Sequence, residues 1–573
     1  MAMYQNYPTH PSADLRRLYR DAAEQYGDKT LFLQRCEKGY REVSYRRFAE
    51  AVDALSAFLC HRGLTDKRTV IVGEACYEWV LAFMAVACTG VAVPLDVTSP
   101  TKTLLSLTAH CDASLIVCDD ETDKRLSAVG HPLPRIRFSQ LNAAISEGKA
   151  QLAQESLDAL LPPIDPCVMH AIFYTAGSTD TPKGVMLSHR NLCFNVSEVG
   201  QMIHIGKDDV FLSLQPLHNL YECTCGILLP MTSGATVAFA GGISRLHKSL
   251  CEVSPSVILC TPTLPELLYK KILRRIRTQN LEKKVATYIN STNAIPNLKM
   301  RLAAKRKFFA SLHEGFGGKL RLLLSGGESI DPAVLSGLRD FGFLALQCYT
   351  VTECAPVVAI NRDAFFFDDS VGAATPNTLL DVCETGEELM GDIRFHGDNV
   401  MLGYYKEPRL TDRVLRGGWL YTGDLGYLDE NGYLYIVGRK SNAIRLDAQR
   451  AIYPEELEKL LLETGIIEEA AVVGYPTPEG GIDTVAILHP DYEMLSHLDH
   501  TPMTPERLEQ YLVKAIASVN AQLSPYKQLS MHLLCGENFP KHKNGSLQRE
   551  AIASRYKENY LKVKSEKNKP EQP

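Results

Sequence analysis

Short runs of consecutive apolar residues alternate along the chain with longer segments whose apolar positions recur every three or four residues. TVIVG at Thr69–Gly73, SLIVC at Ser114–Cys118, AIFYT at Ala171–Thr175, SVILC at Ser256–Cys260 and LRLLLS at Leu320–Ser325 are the clearest short runs. A run with no polar alternation suits a strand covered on both faces, as in a parallel sheet. Helical spacing lies between them, for example in FAEAVDALSAFLCHRG, which precedes the first. This order predicts an α/β domain with parallel sheets, whose working loops lie at the carboxyl ends of the strands. The most apolar stretch, Val80–Leu95, holds Thr89, Gly90 and Pro94 and is flanked by Glu78 and Asp96. A bilayer span needs roughly 20 clean apolar residues. A buried helix followed by a buried strand is the prediction here.

A second unit begins near GRKSNAIRL and has its own alternation: the helix YPEELEKLLLET, the strands EAAVVGY and DTVAILHP, and the helix PERLEQYLVKAIASVNAQL. The expected organisation is a large N-terminal domain over residues 1–438 and a small, mobile α+β domain over 439–561. The charged tail 562–573 is too polar to bury a core and is expected to be disordered. A length of 573 residues agrees with more than one domain.

Composition narrows the picture only a little. A net charge of −6 gives no reason to expect a nucleic-acid partner. The sixteen cysteines show neither metal-binding spacing nor a disulfide framework, and Cys223 and Cys225 lie on an apolar segment that reads as core. Free thiols fit a reducing cytoplasm. The N-terminus has no basic start followed by an apolar run, so no signal peptide is expected.

Four segments carry candidate chemistry. YTAGSTDTPKGV, directly after the AIFYT strand, gathers Thr175, Gly177, Ser178, Thr179 and Lys183, and such a loop can cradle a polyphosphate while its lysine supplies a cation. By composition an ordinary polar loop is an equal reading, and it is not the GxxxxGK(S/T) loop of P-loop enzymes. SGGESI places Gly326 and Gly327 at the end of a strand, where a flat ring could approach the backbone. A tight turn opening a helix at Asp331-Pro332 explains it as well. CYTVTECAP, which holds Tyr349, Thr352 and Glu353, follows the strand FGFLALQ; a glutamate there is ordinarily a helix N-terminal carboxylate. GGWLYTGDLGYLDENGYLYIVGRK holds Asp424 after a sharp TG turn, a DENGY hairpin and Arg439, which as a lone pair would be an ordinary salt bridge. His218, in PLHNLYECT, is by itself a packed or capping histidine.

Together, in order and spacing from roughly residue 15 to 550, these segments resemble the adenylate-forming superfamily, and most closely the bacterial long-chain fatty acid–CoA ligases. YTAGSTDTPKGV and the following MLSHRN are similar to the phosphate-loop signature YTSGTTGxPKGV and its continuation, and CYTVTECAP is similar to GYGLTE. The resemblance implies that Thr175, Gly177, Ser178, Thr179 and Lys183 bind phosphate, and that Gly326 and Gly327 lie beside adenine. It further implies that Tyr349 stacks on adenine, Thr352 bonds phosphate, Glu353 helps hold Mg²⁺, and Asp424 and Arg439 bond the ribose hydroxyls. His218 would lie beside the acyl site. A fatty acid, ATP and CoA are the implied substrates. The implied reaction makes acyl-AMP and then a thioester, with the small domain rotating between the two halves. The basic helical stretch Arg274–Gly318 resembles an insertion of long-chain members. A peripheral membrane contact and a carrier-protein thiol as acceptor stay open.

Several positions depart from the pattern. The adenylation lysine of PxxxxGKxxR is Ser546 in FPKHKNGSLQR. Losing one preorganised cationic donor costs about 10²–10³-fold in rate, with Lys541 or Lys543 as the substitutes at hand. Asp180 stands in the phosphate loop where glycine is usual, Asn219 replaces the second histidine of PLHH, and Cys348 and Thr350 replace the glycines of GYGLTE. Gln449 replaces a glycine of the thiol tunnel, and Ser441 occupies the hinge position. A weakened relative that binds nucleotide or acyl-adenylate in a regulatory role is therefore the alternative reading.

Overall fold

The computed structural model describes residues 6–175, 182–242, 245–383, 390–447, 450–478, 480–498, 503–541 and 546–567. Gly177, Ser178, Thr179 and Asp180, with Lys543 and Gln449, lie outside the described residues. The chain divides into two compact units. The first comprises Met1–Asp381, Arg394–Thr422 and Leu428–Tyr435, and the second comprises Val382–Ile393, Gly423–Tyr427 and Ile436–Pro573. The second unit takes in two segments that precede residue 438, and within it Asp424 and Asp392 form ion pairs with Arg439 and Lys440.

The first unit is built on two sheets. One has seven strands: Gly403–Tyr404, Lys183–Ser188, Met169–Thr175, Val91–Leu95, Arg68–Val72, Leu115–Cys118 and Arg135–Arg137, in that spatial order. Pairing is parallel from Met169–Thr175 through to Arg135–Arg137, as the uninterrupted apolar runs required. Lys183–Ser188 runs antiparallel to Met169–Thr175, which brings Lys183 opposite Thr175. In the other sheet, Val210–Ser213, Val257–Cys260, Leu322–Ser325 and Leu344–Thr350 follow one another in parallel register. Their apolar side chains reach a core completed by Ile272, Val285 and Leu335 from the covering helices.

The apolar stretch predicted as helix then strand is the helix Tyr77–Ala87, buried at every position but Glu78, followed by the wholly buried strand Val91–Leu95. Gly90 separates them, because a Cβ there would lie 2.4 Å from the Lys67 carbonyl. No described helix is long and apolar enough to cross a membrane. All sixteen cysteines are free, and Cys223 and Cys225 are buried.

In the second unit, the strands Ile467–Pro476 and Ile482–Pro490 pair antiparallel, and Met531–Leu534 adds in parallel. The helices Pro454–Glu463 and Pro505–Asn520 bury Leu457, Leu461, Leu508 and Leu512 against them. The last helix runs Arg549–Lys567, so residues 562–567, expected in a disordered tail, are helical. Lysine and glutamate are good helix formers, and Lys564 is pinned to Asp483 at 2.6 Å.

Candidate active site

Site residues of the first unit are set by one helix. Ser188 ends the strand that begins at Lys183 and caps the helix His189–Met202 in a reciprocal box with Asn191. Asn191 and Asn195 are four residues apart and therefore share a helical face. Asn191 donates to the carbonyls of Asp398 and Val400 at 2.7 and 3.0 Å. Asn195, fully buried, donates to Val357 O at 2.7 Å and accepts from Val357 N–H at 3.3 Å. Two loops are thereby fixed against the helix: the turn Thr352–Cys354, and the segment that leads to Gly403–Tyr404. The Met401 N–H closes them on each other by donating to the Glu353 carbonyl at 2.8 Å.

Three candidate side chains meet as a result. The Tyr404 hydroxyl donates to Glu353 Oε1 at 2.6 Å. Lys183 Nζ lies 5.7 Å from the centre of the Tyr404 ring. Burial and the neighbouring Glu353 push the Tyr404 phenol far up, so it stays a donor across the physiological range. Glu353 thus has one oxygen oriented by a neutral donor, with a lysine across the same ring. One or two carboxylates plus substrate phosphates suffice for Mg²⁺, so the donor set fits that ion. Among the described residues no group of three or more ligands for a metal exists. Tyr404 was missed by sequence reasoning; GYY after a short loop has no chemistry of its own until folding places it.

The glycine turn is explained by its neighbours. A Cβ on Gly326 would meet Cys348 Sγ at 2.9 Å, the Tyr221 ring at 3.1 Å and Thr350 Cγ2 at 3.2 Å. Alternate residues of a strand share a face, so Cys348 and Thr350 both project toward Gly326, in space that two glycines would leave empty. Gly327 adopts a φ of +94° with no atom near its missing Cβ. Tyr349 lies on the opposite face, 9% exposed, with its ring centre 6.0 Å from that of Phe395.

His218 sits elsewhere in this unit, with Nε2 4.0 Å from Asp96 Oδ1 at the end of the Val91–Leu95 strand. Asn219 accepts from the Tyr221 N–H at 3.0 Å and starts a π-helix over Glu222–Leu228. Glu222 is wholly buried there, and burial pushes its carboxyl up to about 8. Its Oε2 has no partner among the described residues.

In the second unit, Arg439 Nε and Asp424 Oδ1 are 3.1 Å apart, with Asp424 nearly buried and Arg439 mostly exposed. Gly423 has a φ of +77° but lies within the strand Trp419–Leu428, so the sharp turn expected before Asp424 is not a turn: the chain continues as strand through it. Lys541 Nζ is engaged by Glu469 at 2.7 Å. The backbone bridge Lys541–Leu547 and the Gln548 amide, which donates to the Lys541 carbonyl at 2.9 Å, close the loop before Ser546. Ser441 lies in the short turn Lys440–Asn442.

This is the fold of adenylate-forming enzymes. ATP-bound MatB from Rhodopseudomonas palustris superimposes with a TM-score of 0.73 over 96% of this chain and 99% of its own, at 21% identity. Residues 19–405 match the model of the AMP-binding enzyme family, and the chain belongs to that family. It is 25% identical over 543 residues to fatty acyl-CoA synthetase B of Dictyostelium discoideum, covering 85% of this chain and 78% of that one. To long-chain-fatty-acid–CoA ligase 5 of Mus musculus it is 27% identical over 467 residues, covering 74% and 67%.

Proposed function

We propose that the protein is an AMP-forming ligase that activates a long-chain fatty acid with ATP and transfers the acyl group to CoA. The observation that carries this reading is the Lys183–Tyr404–Glu353 group inside an AMP-binding enzyme whose relatives are named as fatty acyl-CoA synthetases and ligases. In the first half-reaction a carboxylate oxygen attacks the α-phosphorus of ATP and the bond to pyrophosphate breaks. In the second, a thiol attacks the acyl carbon, loses its proton, and AMP leaves.

Bringing a carboxylate to a polyphosphate joins two anions, so cations and fixed donors do most of the work. Lys183 supplies one cation, and Gly177, Ser178 and Thr179 with Thr175 supply loop donors. Mg²⁺, when bound through Glu353, neutralises phosphate charge. Tyr404 holds the Glu353 carboxylate in one orientation, and the Thr352 hydroxyl bonds phosphate. Gly326, Gly327 and Tyr349 receive adenine, while Asp424, oriented by Arg439, accepts from the ribose hydroxyls. His218 stands at the acyl side. The free thiols suit a reducing, cytoplasmic setting.

A second reading is favoured by Ser546 and by the engagement of Lys541 with Glu469. With Lys541 engaged and serine at 546, adenylation slows and the protein serves as a nucleotide or acyl-adenylate binder; an adenylate passed to a carrier-protein thiol is its enzymatic variant. Release of AMP and pyrophosphate from Mg²⁺-ATP, with and without CoA and across acyl chain lengths, separates these readings. Acyl-CoA formed in step with AMP supports the ligase. Saturable nucleotide binding without release supports the binder, and acyl-AMP accumulating without thioester supports the carrier variant.

A further inference from the structure

Charge is strongly segregated in this chain. Between Thr263 and Phe308 there are twelve lysines and arginines against Glu266 and Glu282, a net of +10 in a protein whose total is −6. The segment forms three helices, Thr263–Thr278, Glu282–Asn293 and Leu298–Phe308. The apolar faces of the first two are already used: Leu268, Ile272, Ile276, Val285 and Ile289 join the core of the parallel sheet. Two cations turn inward. Lys305 pairs with Asp340 at 2.7 Å, and Arg306 donates to the Gly342 and Leu320 carbonyls.

The outward faces carry nine of the other ten, Arg301 being half-buried. Lys270, Lys271, Arg274, Arg275 and Arg277 are exposed on the first helix, Lys283 and Lys284 on the second, and Lys299 and Lys307 on the third. Among them stand three large exposed apolar side chains, Leu267 at 47%, Met300 at 65% and Phe308 at 37%. Lysine and arginine around isolated apolar tips match the headgroup layer of an anionic bilayer, where the cations meet phosphate and the tips enter the acyl boundary. A nucleic acid is a poorer match. Its bases would need aromatic faces, yet Tyr288 and Phe308 stack on each other at 3.7 Å and Phe309 packs edge-on against both.

We propose that the outward face of the Thr263–Phe308 helices docks the protein on anionic phospholipid membranes. The interaction is electrostatic and shallow, because the helices' own apolar stripes are buried in the protein. Docking does not depend on the ligase reading. If that reading holds, the surface brings the enzyme to the phase where long-chain acids reside.

The test is co-sedimentation of the full chain with phosphatidylcholine vesicles, with and without phosphatidylglycerol. Binding is expected only with phosphatidylglycerol, and it should be lost at high salt. Replacing Lys270, Lys271, Arg274, Arg275 and Arg277 by Gln should weaken binding about a hundredfold or more. A control replaces the exposed Lys38, Lys102, Lys124, Lys149 and Lys207 by Gln and changes net charge equally; it should bind as the native protein does. Leu267→Ser with Met300→Ser should weaken binding modestly without altering the salt dependence. Absence of native binding, equal binding to neutral vesicles, or equal loss in both five-residue variants would overturn the proposal. Adenylation, measured separately without vesicles, reports on the ligase reading alone.

Discussion

Tyr404 joins the two charged groups of the candidate site, and its hydroxyl is the part that can be removed cleanly. A hydrogen bond to a charged group contributes about 1.5–3 kcal/mol. Tyr404→Phe should therefore slow adenylation roughly tenfold or more and raise the Mg²⁺ concentration needed for half-maximal rate. If only the melting temperature moves, Tyr404 supports the fold and does not orient Glu353. Glu222 gives a second prediction at this scale. Burial lifts its carboxyl from an ordinary 4.5 to about 8 in the folded protein, so the native state binds more protons between those values. The favourable contribution of its neutral form is complete below about 4.5 and is lost as pH rises toward 8, with a slope near 1.4 kcal/mol per pH unit. Glu222→Gln stays neutral and should flatten that slope; denaturant melts across this range would show it. Of these two residues the sequence displayed neither role. A tyrosine in GYY and a glutamate in YECT acquire their contacts from residues far along the chain, whereas Lys183 and Glu353 stand in local motifs that single them out as candidates in the sequence.

At the level of elements, the uninterrupted apolar strands were readable because burial on both faces writes a pattern that needs no partner to be recognised. The helix His189–Met202 was less so. Its sequence signals a capped amphipathic helix, but not that Asn191 and Asn195 tether two distant loops. Asn195→Ala leaves a buried carbonyl and N–H of Val357 without their partner, which costs roughly 1–3 kcal/mol. Because that loop carries Thr352 and Glu353, the expected result is a lower melting temperature together with a weaker response to Mg²⁺-ATP. Unchanged nucleotide affinity with lowered stability would show that the tether serves the fold alone. The last helix shows the opposite limit: a charged composition suggested disorder, yet Lys564 finds Asp483 and the helix persists through Lys567.

For the whole molecule, the chain has the fold and family of AMP-binding enzymes, and the proposed adenylation turns on position 546, where the family resemblance leads one to expect lysine and this chain has serine. Lys541 is tied to Glu469, so it is poorly placed to replace a lysine at position 546. Cys348 and Thr350 line the glycine turn and fill space that two glycines would leave open. Thr350→Gly should open that turn and tighten nucleotide binding several-fold, which titration calorimetry would detect; no change in affinity would mean the crowding is harmless. The most direct measurement is AMP and pyrophosphate release from Mg²⁺-ATP and fatty acids of increasing length, for the native protein beside Ser546→Lys. Slow, acyl-dependent release by the native protein is expected, and about 10²–10³-fold faster release by Ser546→Lys. Silence from both proteins at every chain length would contradict the ligase reading.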